Sequence, residues 1–343
     1  MPYQERVHVT DYLKAICIIM VIITHYSWET KSYPTFTYGI RMAVPIFMIL
    51  SGYNAVLAYE KRKTTTLKSI YAPSQMLPKI LWIMLPYTLL FFFEAFAEGC
   101  FTPELNAGDY IYTYLTGGFN EGLSGGYYVA CLLELTLTMP IIYVIIKKSP
   151  IWGLLGMLAV NIIYEMCVAS FAMDWYTYRI IYVRYIFMVT CGMYMALGNK
   201  IHWGILAPMF TAGIIILYTL DYGDLMQNLL FCRYWANTNL LSSLYIVPLI
   251  YVVFALFRTK QIPTFIGSGL ELIGRSTWHI FLYQMIYYRM GWHTDFLYLG
   301  LPVCIIFNIV ICCLAGCAWS RLEKHFQVYI KIPQNRRQIT GAN

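Results

Sequence analysis

The sequence predicts an all-α membrane protein, a polytopic helical bundle of about ten transmembrane helices with both termini cytoplasmic. Three observations predict it. Of 343 residues, 59% are hydrophobic and only 12% are charged, about half the charge fraction of an ordinary soluble domain, and the mean hydropathy is +0.58. The apolar residues fall in runs long enough to cross a bilayer as helices, leaving no room for a sizeable soluble domain. The lysines and arginines gather in alternate loops, which is a topology signal. The net charge of +7 is therefore not read as a nucleic-acid footprint.

The elements follow in order. Residues 1–10 lack a basic stretch, an apolar core and a small-residue cleavage site, so no cleaved signal peptide is expected. Span one covers about 9–27 and span two about 40–59, followed by a loop with Lys61, Arg62, Lys63, Lys68 and Lys79. Span three, about 80–97, leads into a segment, 98–125, with Glu98, Glu104, Asp109 and Glu121 but no Lys or Arg. Span four, about 126–146, ends at Lys147-Lys148; span five is 151–171; span six, 179–198, ends at Lys200. Span seven, 203–220, precedes Asp221 and Asp224; span eight, 239–257, ends at Arg258 and Lys260. Spans nine, about 270–289, and ten, about 297–318, lead to a tail, 319–343, with Arg321, Lys324, Lys331, Arg336 and Arg337. The basic loops and the tail share one side, so the positive-inside bias places both termini in the cytoplasm. There is no repeat, low-complexity tract or linker, and the chain reads as one domain. The ten cysteines are scattered, with no C-x-x-C pair, so neither a metal site nor a disulfide framework is expected.

Span one carries the most informative residues. Lys14 and His25 are eleven residues apart, about three helical turns plus 20°, so they share a face at a separation of roughly 16 Å along the axis. With the N-terminus cytoplasmic, Lys14 lies toward the inner and His25 toward the outer half of the bilayer. Ionisable groups in a span are costly unless they face a partner or a cavity. Imidazole titrates near neutrality, which suits a general base; a polar contact with a neighbouring helix would equally satisfy His25. Lys14 can snorkel to the interface, and Asp11, one turn earlier, can pair with it.

Asp11-x-Leu13-Lys14-Ala15 followed by His25 resembles the opening of the acyltransferase family 3 membrane O-acyltransferases. Pro45-Ile46-Phe47-Met48-Ile49-Leu50-Ser51-Gly52-Tyr53 resembles that family's second-span motif. Gly274-Arg275-Ser276, running on to Tyr283-Gln284, resembles the ninth-span motif, and Arg321-Leu322-Glu323-Lys324 the closing Glu-Lys motif. Gly125-Gly126-Tyr127-Tyr128 stands where the family often has His-Leu-Trp, and Gln284 stands in place of the ninth-span His. Arg41-x-Ala43-Val44-Pro45 also resembles the membrane domain of vancomycin-resistance serine racemases, which implies an alternative function, transport of a small solute such as serine.

The first resemblance implies an enzyme, an O-acetyltransferase with acyl-CoA (acetyl-CoA) as donor substrate and no bound cofactor. Its acceptor would be a hydroxyl of an envelope saccharide or glycolipid, and its location a bacterial cytoplasmic (inner) membrane. His25 would act as the base. Lys14 and Arg275, with Lys79 as a third candidate, would meet the donor's phosphates; Arg275 can also serve as an interfacial anchor. Ser51 and Tyr53 are candidates for oxyanion stabilisation and positioning, although Ser51-Gly52 also suits close helix packing. Acceptor contacts would come from Tyr26, Trp28, Glu29, Arg41, Tyr127, Tyr128 and Arg184. Glu94, Glu134 and Glu165 can orient His25 or pair with Arg41 or Arg184. The 31 tyrosines suit a sugar face and suit a bilayer interface equally well.

Overall fold

The computed structural model describes residues 3–25, 42–97, 107–117, 126–222, 240–259, 263–294 and 297–329. Among these, every regular element is helical. The helices are α1 (Tyr3–His25), α2 (Ala43–Lys61), α3 (Leu67–Ile70), α4 (Pro73–Ala97), α5 (Ala107–Thr116), α6 (Tyr127–Lys148) and α7 (Pro150–Ser170). They continue as α8 (Trp175–Ile180), α9 (Ile186–Ala196), α10 (Trp203–Tyr222), α11 (Ser243–Thr259), α12 (Thr264–Arg275), α13 (Thr277–Arg289) and α14 (Leu301–Tyr329).

Seven helical segments among the described residues are long and apolar enough to cross a membrane: His8–His25, Ala43–Lys61, Pro73–Phe93, Tyr127–Lys148, Pro150–Ser170, Leu240–Phe257 and Leu301–His325. They carry expected spans one to five, eight and ten. The other three expected spans take different forms. Span six is divided into α8, a 3₁₀ turn at Tyr182–Tyr185, and α9. Span nine is divided at Ser276, whose backbone (φ −105°, ψ 5°) leaves the helical range between α12 and α13. Span seven is α10, whose apolar stretch is the shorter Trp203–Ile216.

Local chemistry explains the boundaries. In lipid each backbone polar group needs an internal partner, so even β-branched runs such as Val21-Ile22-Ile23-Thr24 are driven into helix. Pro45 lies in the first turn of α2, where its missing N–H removes no helical bond. The sharp corner between α6 and α7 is set by Pro150, which pushes Ser149 out of the helical region (φ −147°, ψ 84°). Asp174 caps α8 by accepting the Thr177 N–H at 2.9 Å; hydrogen bonds from Thr177 hold its carboxyl below the usual carboxylate range.

The core centres on α1, α2 and α9. α1 packs against α2, α12, α13 and α14, and α2 packs along α9. The α2–α9 crossing brings backbone onto backbone: a Cβ on Gly52 would run into the Val189 carbonyl, and one on Gly192 into the Ile49 carbonyl. That is the small-residue solution to helix association in lipid, where the gain comes from close packing. The outward faces of α4, α7 and α10 leave Leu89, Phe96, Trp152, Ile163, Ile205 and Ile215 exposed, the pattern of surfaces turned toward acyl chains.

Candidate functional site

Near the start of the membrane-crossing stretch of α1, His8–His25, Asp11 is buried and accepts two cations. Its Oδ1 meets Lys14 Nζ at 2.5 Å, and its Oδ2 accepts Arg275 Nε at 3.1 Å. Arg275 also donates through Nη2 to Glu271 at 3.0 Å, and Glu271 Oε1 lies 2.6 Å from His8 Nδ1. The local cause is Gly274. A Cβ there would strike the Asp11 carbonyl, so only glycine lets α12 lie directly on α1, and this contact sets the next side chain, Arg275, on the Asp11 carboxylate. The two predicted phosphate-binding cations, far apart in sequence, thus share one carboxylate. Lys14 keeps further N–H donors beyond its Asp11 contact, and the Arg275 side chain is half exposed.

Replacing Gly274 by Val is expected to push α12 off α1 and separate Arg275 from Asp11, destabilising the protein by about 1–3 kcal/mol. The loss is read as the drop in thermal midpoint in detergent, with Gly269→Val, where a Cβ meets open space, as the control.

At the other end of the same unbroken helix, His25 lies beside Tyr288, with ring centroids 6.1 Å apart. The Tyr288 hydroxyl donates to the Ile22 carbonyl at 2.9 Å, tying α13 to the last turn of α1. Its ring also stacks on His293 at 4.8 Å. His293 is held by its carbonyl, which accepts Asn308 Nδ2 at 3.0 Å, and Asn308 Oδ1 accepts the Tyr287 hydroxyl at 2.6 Å. His25 is partly buried, so its imidazole stands at a braced but accessible edge.

The remaining predicted residues divide. Ser51 is half-buried on α2, and Tyr53 packs its ring on Phe254 at 5.0 Å. Gly52, between them, makes the close α2–α9 contact already described. Lys79 forms no ion pair with the Asp11 cluster among the described residues, and its ammonium lies 4.6 Å from the centroid of the Tyr59 ring. Tyr128 packs on Phe281 at 5.2 Å. Tyr127 and Arg184 come together: the Arg184 guanidinium is 5.3 Å from the Tyr127 ring centroid. Glu134 accepts the Tyr182 N–H at 3.0 Å and Glu165 accepts the Tyr178 hydroxyl at 3.1 Å; neither is within ion-pair distance of Arg184 among the described residues. Tyr26, Trp28, Glu29 and Arg41 lie outside the described residues, as does the Glu94 side chain.

Sequence reasoning passed over several polar side chains. Glu271 and His8 complete the Asp11 cluster. His279, buried on α13, contacts Glu323 through Nε2, joining the ninth-span and closing motifs; both residues stand inside or beside the motif stretches, which was the available signal. Arg179 lies 4.1 Å from the Tyr127 centroid, and only its position at the start of span six marked it.

A family model described as "Acyltransferase domain" matches residues 8–320, nearly the whole chain. No curated protein and no solved structure matches the chain. The chain belongs to this acyltransferase family, and its apolar helices make it an integral, multi-pass membrane protein.

Proposed function

We propose that this acyltransferase-family protein moves an acetyl group from cytoplasmic acetyl-CoA to a hydroxyl of an envelope saccharide or glycolipid, in a bacterial cytoplasmic membrane. In this reading ten segments span the bilayer, counting the interrupted ones, and both termini are cytoplasmic. The single observation that carries it is the division of labour along α1. A cluster with two cations on Asp11 stands near the start of its membrane-crossing stretch; an imidazole stands at the other end, roughly 16 Å away.

The chemistry follows from the placement. The donor's phosphates are held by the Lys14 ammonium and the exposed part of the Arg275 guanidinium, which bind anionic oxygens through charge-assisted hydrogen bonds. Asp11 and Glu271 fix both cations before the donor arrives, so little ordering remains to be paid on binding. An extended pantetheine arm is comparable in length to the Lys14–His25 separation. The thioester therefore reaches the His25 end while the nucleotide stays at the cytoplasmic face. His25 takes the proton of the acceptor hydroxyl as that oxygen attacks the thioester carbonyl; the carbonyl collapses with loss of the CoA thiolate, which is protonated on departure. Tyr53 and Ser51 are the proposed stabilisers of the transient oxyanion.

The test uses purified protein in liposomes with radiolabelled acetyl-CoA and an envelope-lipid extract. Label is expected to move to a saccharide. Lys14→Ala is expected to weaken donor binding by about tenfold, the loss of one charge-assisted contact, without changing the product. Failure of the wild type to bind or turn over acetyl-CoA, together with uptake of unmodified serine or another small solute, would replace this reading with transport.

A further inference from the structure

Arg184 is 1% exposed and is among the largest fully buried side chains of the described residues. Its Nε and Nη1 have no hydrogen-bond partner among the described residues, and its Nη2 donates to the Tyr185 hydroxyl. Aromatic faces wall it in: Tyr185 at 4.3 Å, Tyr178 at 5.1 Å and Tyr127 at 5.3 Å from the guanidinium carbon to the ring centroids. Tyr127 carries a second guanidinium on its ring, that of Arg179, at 4.1 Å. Neither arginine forms an ion pair among the described residues. The two nearby carboxylates are already engaged by neutral donors, Glu165 by the Tyr178 hydroxyl and Glu134 by the Tyr182 N–H.

Burying an arginine without a carboxylate is expensive. Tyrosine faces recover part of that cost, but they leave the N–H donors on Nε and Nη1 of Arg184 unused. The backbone here is also irregular, because the 3₁₀ turn at Tyr182–Tyr185 interrupts span six. Interrupted helices at membrane depth are tolerated where they are buried in protein or line a water-filled cavity.

We propose that Arg184 and Arg179, flanking Tyr127, form a binding site for an anionic group of the acceptor, a carboxylate or a phosphate. The planar guanidinium fork matches either oxyanion, and the tyrosine faces supply the apolar, hydrogen-bonding wall that a sugar ring requires. The substrate class is then an acidic saccharide or a phosphate-linked one, not a neutral glycan. Calling this ligand the acceptor rests on the acyl-transfer reading above; the anion site itself does not.

The experiment measures binding by calorimetry to the purified full chain in phosphatidylcholine nanodiscs. The probes are glucuronate, glucose 1-phosphate and glucose, with a second set of discs containing a polyprenyl phosphate. One or both anionic sugars are expected to bind about tenfold or more tightly than glucose, the worth of one charge-assisted contact. Glucuronate in preference points to a sugar acid; glucose 1-phosphate, or competition by the polyprenyl phosphate, points to a phosphate-linked acceptor. Arg179→Gln and Arg184→Gln are each expected to remove that preference while acetyl-CoA binding persists. Arg179 is partly exposed, so its variant reports even where Arg184→Gln fails to fold. Glucose binding as tightly as both anions, or an anion preference that survives Arg179→Gln and a folded Arg184→Gln, would overturn the proposal. Anion binding without any acetyl transfer would leave this site standing and remove the acyltransferase mechanism instead.

Discussion

His25→Ala is expected to lower acetyl transfer by about two to four orders of magnitude, the usual contribution of a positioned general base, while leaving acetyl-CoA binding intact. The separation of the two effects follows from the length of α1. In the proposed reading the donor's charged end meets Lys14 and Arg275, the two cations paired with Asp11, three turns from the imidazole. Tyr288 is also tied to α1 through the Ile22 carbonyl, a contact that His25→Ala leaves in place. Stopped single-turnover transfer and equilibrium donor binding, measured on the same preparation, check this. Loss of donor binding in His25→Ala would mean that the imidazole belongs to the donor site and not to the proton transfer.

Gly192→Leu is expected to be the most damaging substitution for the fold. α9 is buried along nearly its whole length, and its closest approach to α2 is the reciprocal contact of Gly192 and Gly52 with opposing carbonyls. Any side chain there meets backbone, which cannot rotate away as a flexible side chain can. The helices must separate, and separation removes packing that membrane helices depend on. We expect a loss of about 3 kcal/mol or more, the upper end of overpacking costs, read as a large fall in thermal midpoint in detergent or as no recoverable folded protein. Gly156→Leu makes the same chemical change on α7, where a Cβ meets nothing within 4 Å, and is expected to leave the midpoint nearly unchanged.

The parts of the fold that were legible in the sequence are those governed by a single helix. The alignment of Lys14 with His25 needs only the helical period, and α1 runs unbroken through both. The Asp11–Lys14 pair is likewise a contact one turn apart. Arg275 on the same Asp11 is not legible in that way, since 264 residues separate them and the contact depends on Gly274 admitting a helix crossing. The interruptions in spans six and nine escaped for other reasons. In span six the break falls within Ile180-Ile181-Tyr182-Val183, where hydropathy does not register a turn; in span nine the polar run Gly274-Arg275-Ser276-Thr277 marks the break, but it reads as a motif and not as a helix boundary. The Arg184 cage is visible as a charge within span six, but its tyrosine walls come from three separate elements and required the fold.

In the proposed mechanism donor and acceptor meet through α1 from opposite sides of the membrane. The most direct test is a sided assay in sealed proteoliposomes of known orientation, with radiolabelled acetyl-CoA supplied only at the face carrying the termini and saccharide acceptor only at the other. Labelled acceptor is expected in the opposite compartment, with no acetyl-CoA crossing and with loss of label in His25→Ala. Label appearing only when donor and acceptor share one compartment would contradict this mechanism.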